Sequence, residues 1–180
     1  MKNKTYLLMA LCCACAVAVN SCIATGQQQQ QPQPAPESMK HTHMSEMNKR
    51  GDRVMGFDHE KTTHHFRLLP EGGLIQVEAK DVKDIATRDQ IRMHLLHIAI
   101  MFAEGNFKAP MLIHDQTPPG VPVLQRLKAE ITYKFEKSDR GGRVRIITKS
   151  AEALNAIHEF LSFQIKEHQT GDTLEVGPER

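Results

Sequence analysis

Two stretches of this chain follow one plan, and that repetition limits the fold more than any other feature. In the first, His64 to Leu69 and Leu74 to Lys80 are strand-like runs on either side of Pro70-Glu71-Gly72-Gly73. In the second, Ile131 to Lys137 and Arg143 to Lys149 flank Ser138-Asp139-Arg140-Gly141-Gly142. The glycines are expected to supply the positive φ of a tight hairpin. A helix follows each pair. The first should open at Thr87, with Gln90 three residues on as a capping box, and close at Gly105. The second should run from an N-cap at Ser150 to about Gln169 and stop at Gly171. Duplicated ββα units predict an α+β two-layer sandwich: a four-stranded antiparallel sheet with the helices on one face. Between the units, Ala109 to Ala129 reads as a stiff loop and one short helix entered near Pro122. The globular domain is expected over residues 55–172, long enough for one core, with 173–180 as a tail.

The first residues carry an address. Lys2 and Lys4 form a positive start, and Tyr6 to Val19 is an apolar run too short for a membrane span. Val19-Asn20-Ser21-Cys22 resembles the lipobox of bacterial lipoproteins, which implies a signal peptide over 1–21 and a lipid anchor on Cys22. Ile23, where an aspartate would favour retention, points to the outer membrane by the same analogy. The alternative is cleavage at a nearby small residue, giving a soluble secreted protein. Either way the chain is expected to be exported and to face the periplasm, with the membrane as its first partner. Losing Lys2 and Lys4 removes the whole formal charge of +2. A neutral domain lacks the electrostatic footprint of a nucleic-acid binder, so DNA and RNA are excluded as partners.

Residues 22–54 are expected to be a tether. Gln27 to Gln31 and Pro32, Pro34 and Pro36 cannot bury apolar surface. Within it, Met39-Lys40-His41-Thr42-His43-Met44-Ser45-Glu46-Met47 places five soft donors in a short segment without a hydrophobic period. Downstream of Cys22 the chain has ten histidines and seven methionines but no further cysteine. Imidazole and thioether suit copper or another soft transition metal, while the thiolates of structural zinc and iron–sulfur sites are missing. His41, His43, Met44 and Met47 are therefore candidate metal ligands that order around an ion, with His59, His64 and His65 as partners on the domain. His64 and His65 should point to opposite faces of a strand, so that only one joins a given site. The alternative is a plain polar linker.

The first helix carries Met93, His94, His97 and Met101 beside its core stripe, either as a second soft-donor flank or as a dimer seam. A buried His94 would be satisfied by a backbone carbonyl. His158, in the stripe of the second helix at roughly the place of His94, is either an ordinary core histidine or one that approaches His94 across a pseudo-twofold. His114-Asp115, before Gln116-Thr117-Pro118-Pro119-Gly120-Val121-Pro122, offers a base for a small enzyme or merely a stiff connector. No nucleophile motif accompanies it, which argues against catalysis.

Met55-Gly56-Phe57-Asp58-His59-Glu60-Lys61-Thr62-Thr63-His64-His65-Phe66, His114 to Pro122, Gly141-Gly142-Arg143-Val144 and Phe163 to Asp172 resemble, in that order, the signatures of a family of small exported bacterial proteins. The resemblance implies no established activity. Some members bear the name aspartate carbamoyltransferase, which these residues do not support: the nearest approach to a Ser-Thr-Arg-Thr phosphate loop is Ala86-Thr87-Arg88-Asp89, read here as a helix start. Three functions follow as expectations: an envelope metal-binding lipoprotein, with copper as its cofactor; a metal-free interaction module, as a homodimer or with an envelope protein partner; and, last, an enzyme using His114 and Asp115.

Overall fold

A computed structural model describes residues 37–178; Cys22, the signal segment and the Gln/Pro tract lie outside the described residues. The elements run α1 (Glu37–Met55), β1 (Thr62–Leu69), β2 (Gly72–Ala79), α2 (Ile85–Ala103), α3 (Lys108–His114), α4 (Val121–Arg126), β3 (Ile131–Lys137), β4 (Gly141–Thr148) and α5 (Ala151–His168), with 3-10 turns at His59–Lys61 and Lys128–Glu130. The four strands form one antiparallel sheet in the order β1-β2-β4-β3. The fold is the α+β sandwich that the duplicated ββα plan implies. Its hairpins pair through β2 and β4, with Ile75 opposite Val144.

The helices exchange hairpins. α2, from the first unit, packs over β3 and β4, and α5, from the second, packs over β1 and β2. Each brings an apolar stripe to one core: Ile91, Leu95, Ile98 and Phe102 from α2, and Ile157, Phe160, Leu161 and Ile165 from α5. Asp84 caps α2 by accepting from the Thr87 amide, so the helix starts two residues before the expected Thr87 box. Ser150 caps α5 as expected, and Gln169, at φ 50°, ends it before Gly171.

Gly72, at φ 152°, supplies the positive φ expected of the first hairpin, but Gly73, Gly141 and Gly142 do not. The first hairpin turns on Pro70 and Glu71 alone, and Gly72 and Gly73 already lie in β2. A β-carbon on Gly73 would run into Leu161 of α5, and one on Gly141 into the Val77 carbonyl and Ile91 of α2. Gly73 and Gly141 are gaps that let each helix cross close to a central strand, whereas a β-carbon on Gly72 or Gly142 would meet the neighbouring strand.

Two further expectations are corrected. The tether assigned to 22–54 ends early, because residues 37–55 form α1, which packs on α3 and buries Met47 completely. The irregular 39–47 segment is helical because Met44, Met47, Gly51 and Met55 fall on one side of a helix. Ala109 to Ala129 holds two short helices, not one. The last described residues lie along the open edge of β1: the Asp172 carboxylate accepts from the Phe66 amide at 2.9 Å, and the Gly177 amide donates to the Leu68 carbonyl at 3.1 Å. They cover an edge that would otherwise template aggregation.

Gly73→Ala should cost about 1–3 kcal/mol, the usual penalty for overpacking, whereas Gly177→Ala, with open space around it, should be neutral. Urea unfolding of the two variants checks this; equal stabilities would contradict the close-approach reading.

Candidate metal centre

α1 and the start of β1 face one another across a cleft of about 300 Å3. Met44, Met47 and Met55 line it from α1, His59 from the turn, His64 and His65 from β1, and His168 from the end of α5. Five of the seven residues expected as ligands therefore border one space. The other two do not: His41 and His43 are exposed on α1, and the His43 Nε2 sits 3.1 Å from a Glu167 oxygen. His64 and His65 both border the cleft although they alternate along the strand. β1 is an edge strand, and the cleft reaches round that edge.

The anchoring of the imidazoles determines which nitrogen is free. The His59 Nδ1 lies 2.9 and 3.1 Å from the two Asp52 oxygens, and Asp52 also accepts the His59 amide at 2.8 Å. The His65 Nδ1 lies 3.0 Å from Asp172. A carboxylate can only accept, so Nδ1 is the donor in both rings and Nε2 is the nitrogen left for another partner. Although burial opposes it, bonds from Thr170, the Phe66 amide and His65 hold the Asp172 carboxyl below its ordinary value, so it is ionised at neutral pH. Carboxylates behind imidazoles are the usual outer support of metal-binding histidines. His64 adds a buried Nε2 with no partner. Asp52, Asp58 and His59 form the one trio of His, Cys, Asp or Glu among the described residues whose donor atoms lie within 4.8 Å of one another. The remaining donors would have to rotate inward to share an ion. Lys80 stands at the rim of the cleft.

Behind His64 the rings continue inward. His64 stacks on His168 with centroids 5.9 Å apart and planes 5° from parallel. His168 meets Phe66 at 5.7 Å and the edge of His114 at 5.0 Å, and Phe57 packs against both His64 and His94. A cavity of about 70 Å3 lies against His64, His94 and His168. Burial pushes His64 and His94 down to about 4, with a smaller effect of neighbouring histidines, and pushes His168 down to about 3, helped by His64 and His114. All three are neutral imidazoles at physiological pH.

The other sequence candidates separate from this centre. The His114 side chain is buried, with Nε2 at 3.0 Å from the Gln164 carbonyl oxygen and Nδ1 at 3.8 Å from Glu167, while Asp115 is exposed as the left-handed end of α3 at φ 54°. They are not a catalytic pair. Pro118 to Val121 is a stiff connector whose Gly120 passes against the Ala156 carbonyl of α5. His158 bonds the Leu69 and Gly72 carbonyls at 2.9 and 3.0 Å and fastens the first hairpin. On α2, Met93, Leu96, His97 and Ile100 are exposed and Met101 is half-buried, whereas His94 turns toward the cavity. Asp52, Met55, Asp172 and His168 were missed as site residues. Asp172 and His168 are defined by partners far away in sequence, and Asp52 and Met55 face His59 and the cleft only once α1 is helical. Their only sequence signals were the residue types.

No protein-family model, curated protein or solved structure matches the chain. No helix among the described residues is long and apolar enough to cross a membrane.

Acid should loosen the metal-free protein. The buried imidazoles bind protons less readily than those of the unfolded chain, so unfolding takes up protons below the ordinary histidine value near 6.5. The stability they contribute is complete above that value and is lost as pH falls toward about 4. Thermal melts between pH 7.5 and 4.5 should show Tm falling steeply, with a shallower fall for His168→Gln. A flat profile would contradict the burial of neutral rings.

Proposed function

We propose that this protein is an exported, lipid-anchored metal-binding protein of the cell envelope, whose α1–β1 cleft holds copper or another soft transition metal. One observation carries the reading: two imidazoles with carboxylate-fixed Nδ1, His59 and His65, line the same cleft as the thioethers of Met44 and Met47. Imidazole Nε2 accepts Cu(II), and thioether sulfur holds Cu(I) without competing for protons. His64 borders the cleft as well, with its Nε2 buried in the wall. His41 and His43 contribute no more than capture at the surface. Lipidation at Cys22 would keep the domain at the membrane, and the Gln/Pro tract would space it from the lipid.

Calorimetry and chelator competition on the purified chain should give one tight Cu(II) equivalent with a dissociation constant below micromolar. Asp52→Asn and Asp172→Asn leave every imidazole and thioether in place but remove the charge that holds the rings, and each should weaken binding roughly 10- to 100-fold. Affinity no tighter than micromolar, or indifference to both substitutions, would sink the proposal.

A second reading has its own observation. Met93, Leu96 and Ile100 on α2 are 59%, 45% and 50% exposed and lie on one face, as an interaction module would require. Sedimentation at increasing concentration separates the two. A dimer formed without metal and abolished by Leu96→Glu supports the module; a monomer under all conditions removes it.

A further inference from the structure

The cleft and the inner cavity share a wall. Met55, His64 and His168 border both spaces, and His94 closes the inner one. The rest of the cavity is almost entirely hydrocarbon, including Phe66, Leu95 and Ile98, and no carboxylate lines it. Two buried polar atoms at this cavity have no partner: the Nε2 of His64 and the amide nitrogen of Gln164. A buried polar atom left unpaired is destabilising, so two of them beside one cavity call for an occupant. At about 70 Å3 the space is far below that of an organic ligand site. It has room for water or for a single ion.

We infer that the cavity is a second, inner metal position selective for Cu(I), with the Met55 sulfur, the His64 Nε2 and His94 as its ligands. The inference rests on the metal-binding reading of the cleft and adds a division of valence to it. The cost of desolvating an ion grows with the square of its charge, so a pocket without a counter-charge discriminates against any dication. Cu(I) carries one charge, prefers soft ligands and accepts few of them. Neutral imidazoles and one thioether meet all three conditions. The outer cleft differs in the feature that matters: Asp52 and Asp172 stand behind its imidazoles and compensate the second charge of Cu(II). His168, stacked on His64, keeps water from the inner position.

Stoichiometry reads this directly on the full chain. Cu(I), delivered from a chromogenic Cu(I) chelator, should fill two tight positions, and Cu(II), followed by electron paramagnetic resonance, should fill one. His94→Gln should remove one Cu(I) equivalent and leave the Cu(II) equivalent intact, and Met55→Leu, which keeps the volume, should likewise remove a Cu(I) equivalent. X-ray absorption on the unaltered chain, independent of any folding defect, should show a sulfur scatterer and low coordination for both Cu(I) ions. Equal stoichiometry for the two valences, or two Cu(I) equivalents retained in both variants, would overturn the inner site and leave the cleft reading standing. Failure to bind either ion would overturn both.

Discussion

The close approach of α5 to β2 is the constraint from which the rest of the structure follows. Gly73 leaves room for Leu161, so α5 lies down against the first hairpin and not against its own. One and two turns further on, Gln164 and His168 reach the space beside Phe66 and His64. The chain then leaves the helix at Gln169 and returns along β1, where Asp172 takes both the Phe66 amide and the His65 ring. One missing side chain in β2 thus places an imidazole, a carboxylate and an edge cover. α1 is added to this framework by softer means: the packing of Met47, the Arg50 side chain donating to the Ile113 carbonyl at 2.8 Å, and the Asp52–His59 pair.

Electrostatics divide the region in two. Inside, rings crowd together without acid, and burial keeps them uncharged and therefore able to donate lone pairs across the physiological range. Outside, the half-buried rings of His59 and His65 each have a carboxylate that fixes which nitrogen donates. The same residue type serves two environments, and the difference lies in what stands behind each ring. An ion entering from solvent would meet the compensated imidazoles first.

The architecture was legible where it depended on local pattern. The ββα repeat, the four strands and the Ser150 cap follow from hydrophobic alternation and capping chemistry, which need no distant partner. Gly72 takes the positive φ that a hairpin glycine suggests, but Gly73 and Gly141 make room for Leu161 and Ile91, partners that only the folded chain brings to them. α1 was hidden because its apolar face is made almost wholly of methionines spaced through polar sequence, which looks like a linker until α3 is set against it. In the candidate site, residue type identified Met44, Met47, His59, His64 and His65. It could not supply Asp52, Asp172 or His168, which matter only through contacts made after folding. It also gave no reason to separate His41 and His43, which the helix turns to solvent, from Met44 and Met47, which it turns inward.

Anomalous diffraction at the copper edge from crystals of the copper-loaded protein locates the ion without relying on any substitution. The account predicts a peak between α1 and β1, within bonding distance of the His59 or His65 Nε2 and of a methionine sulfur. A peak confined to His41 and His43 on the exposed side of α1, or density spread over unrelated surface histidines, would contradict it.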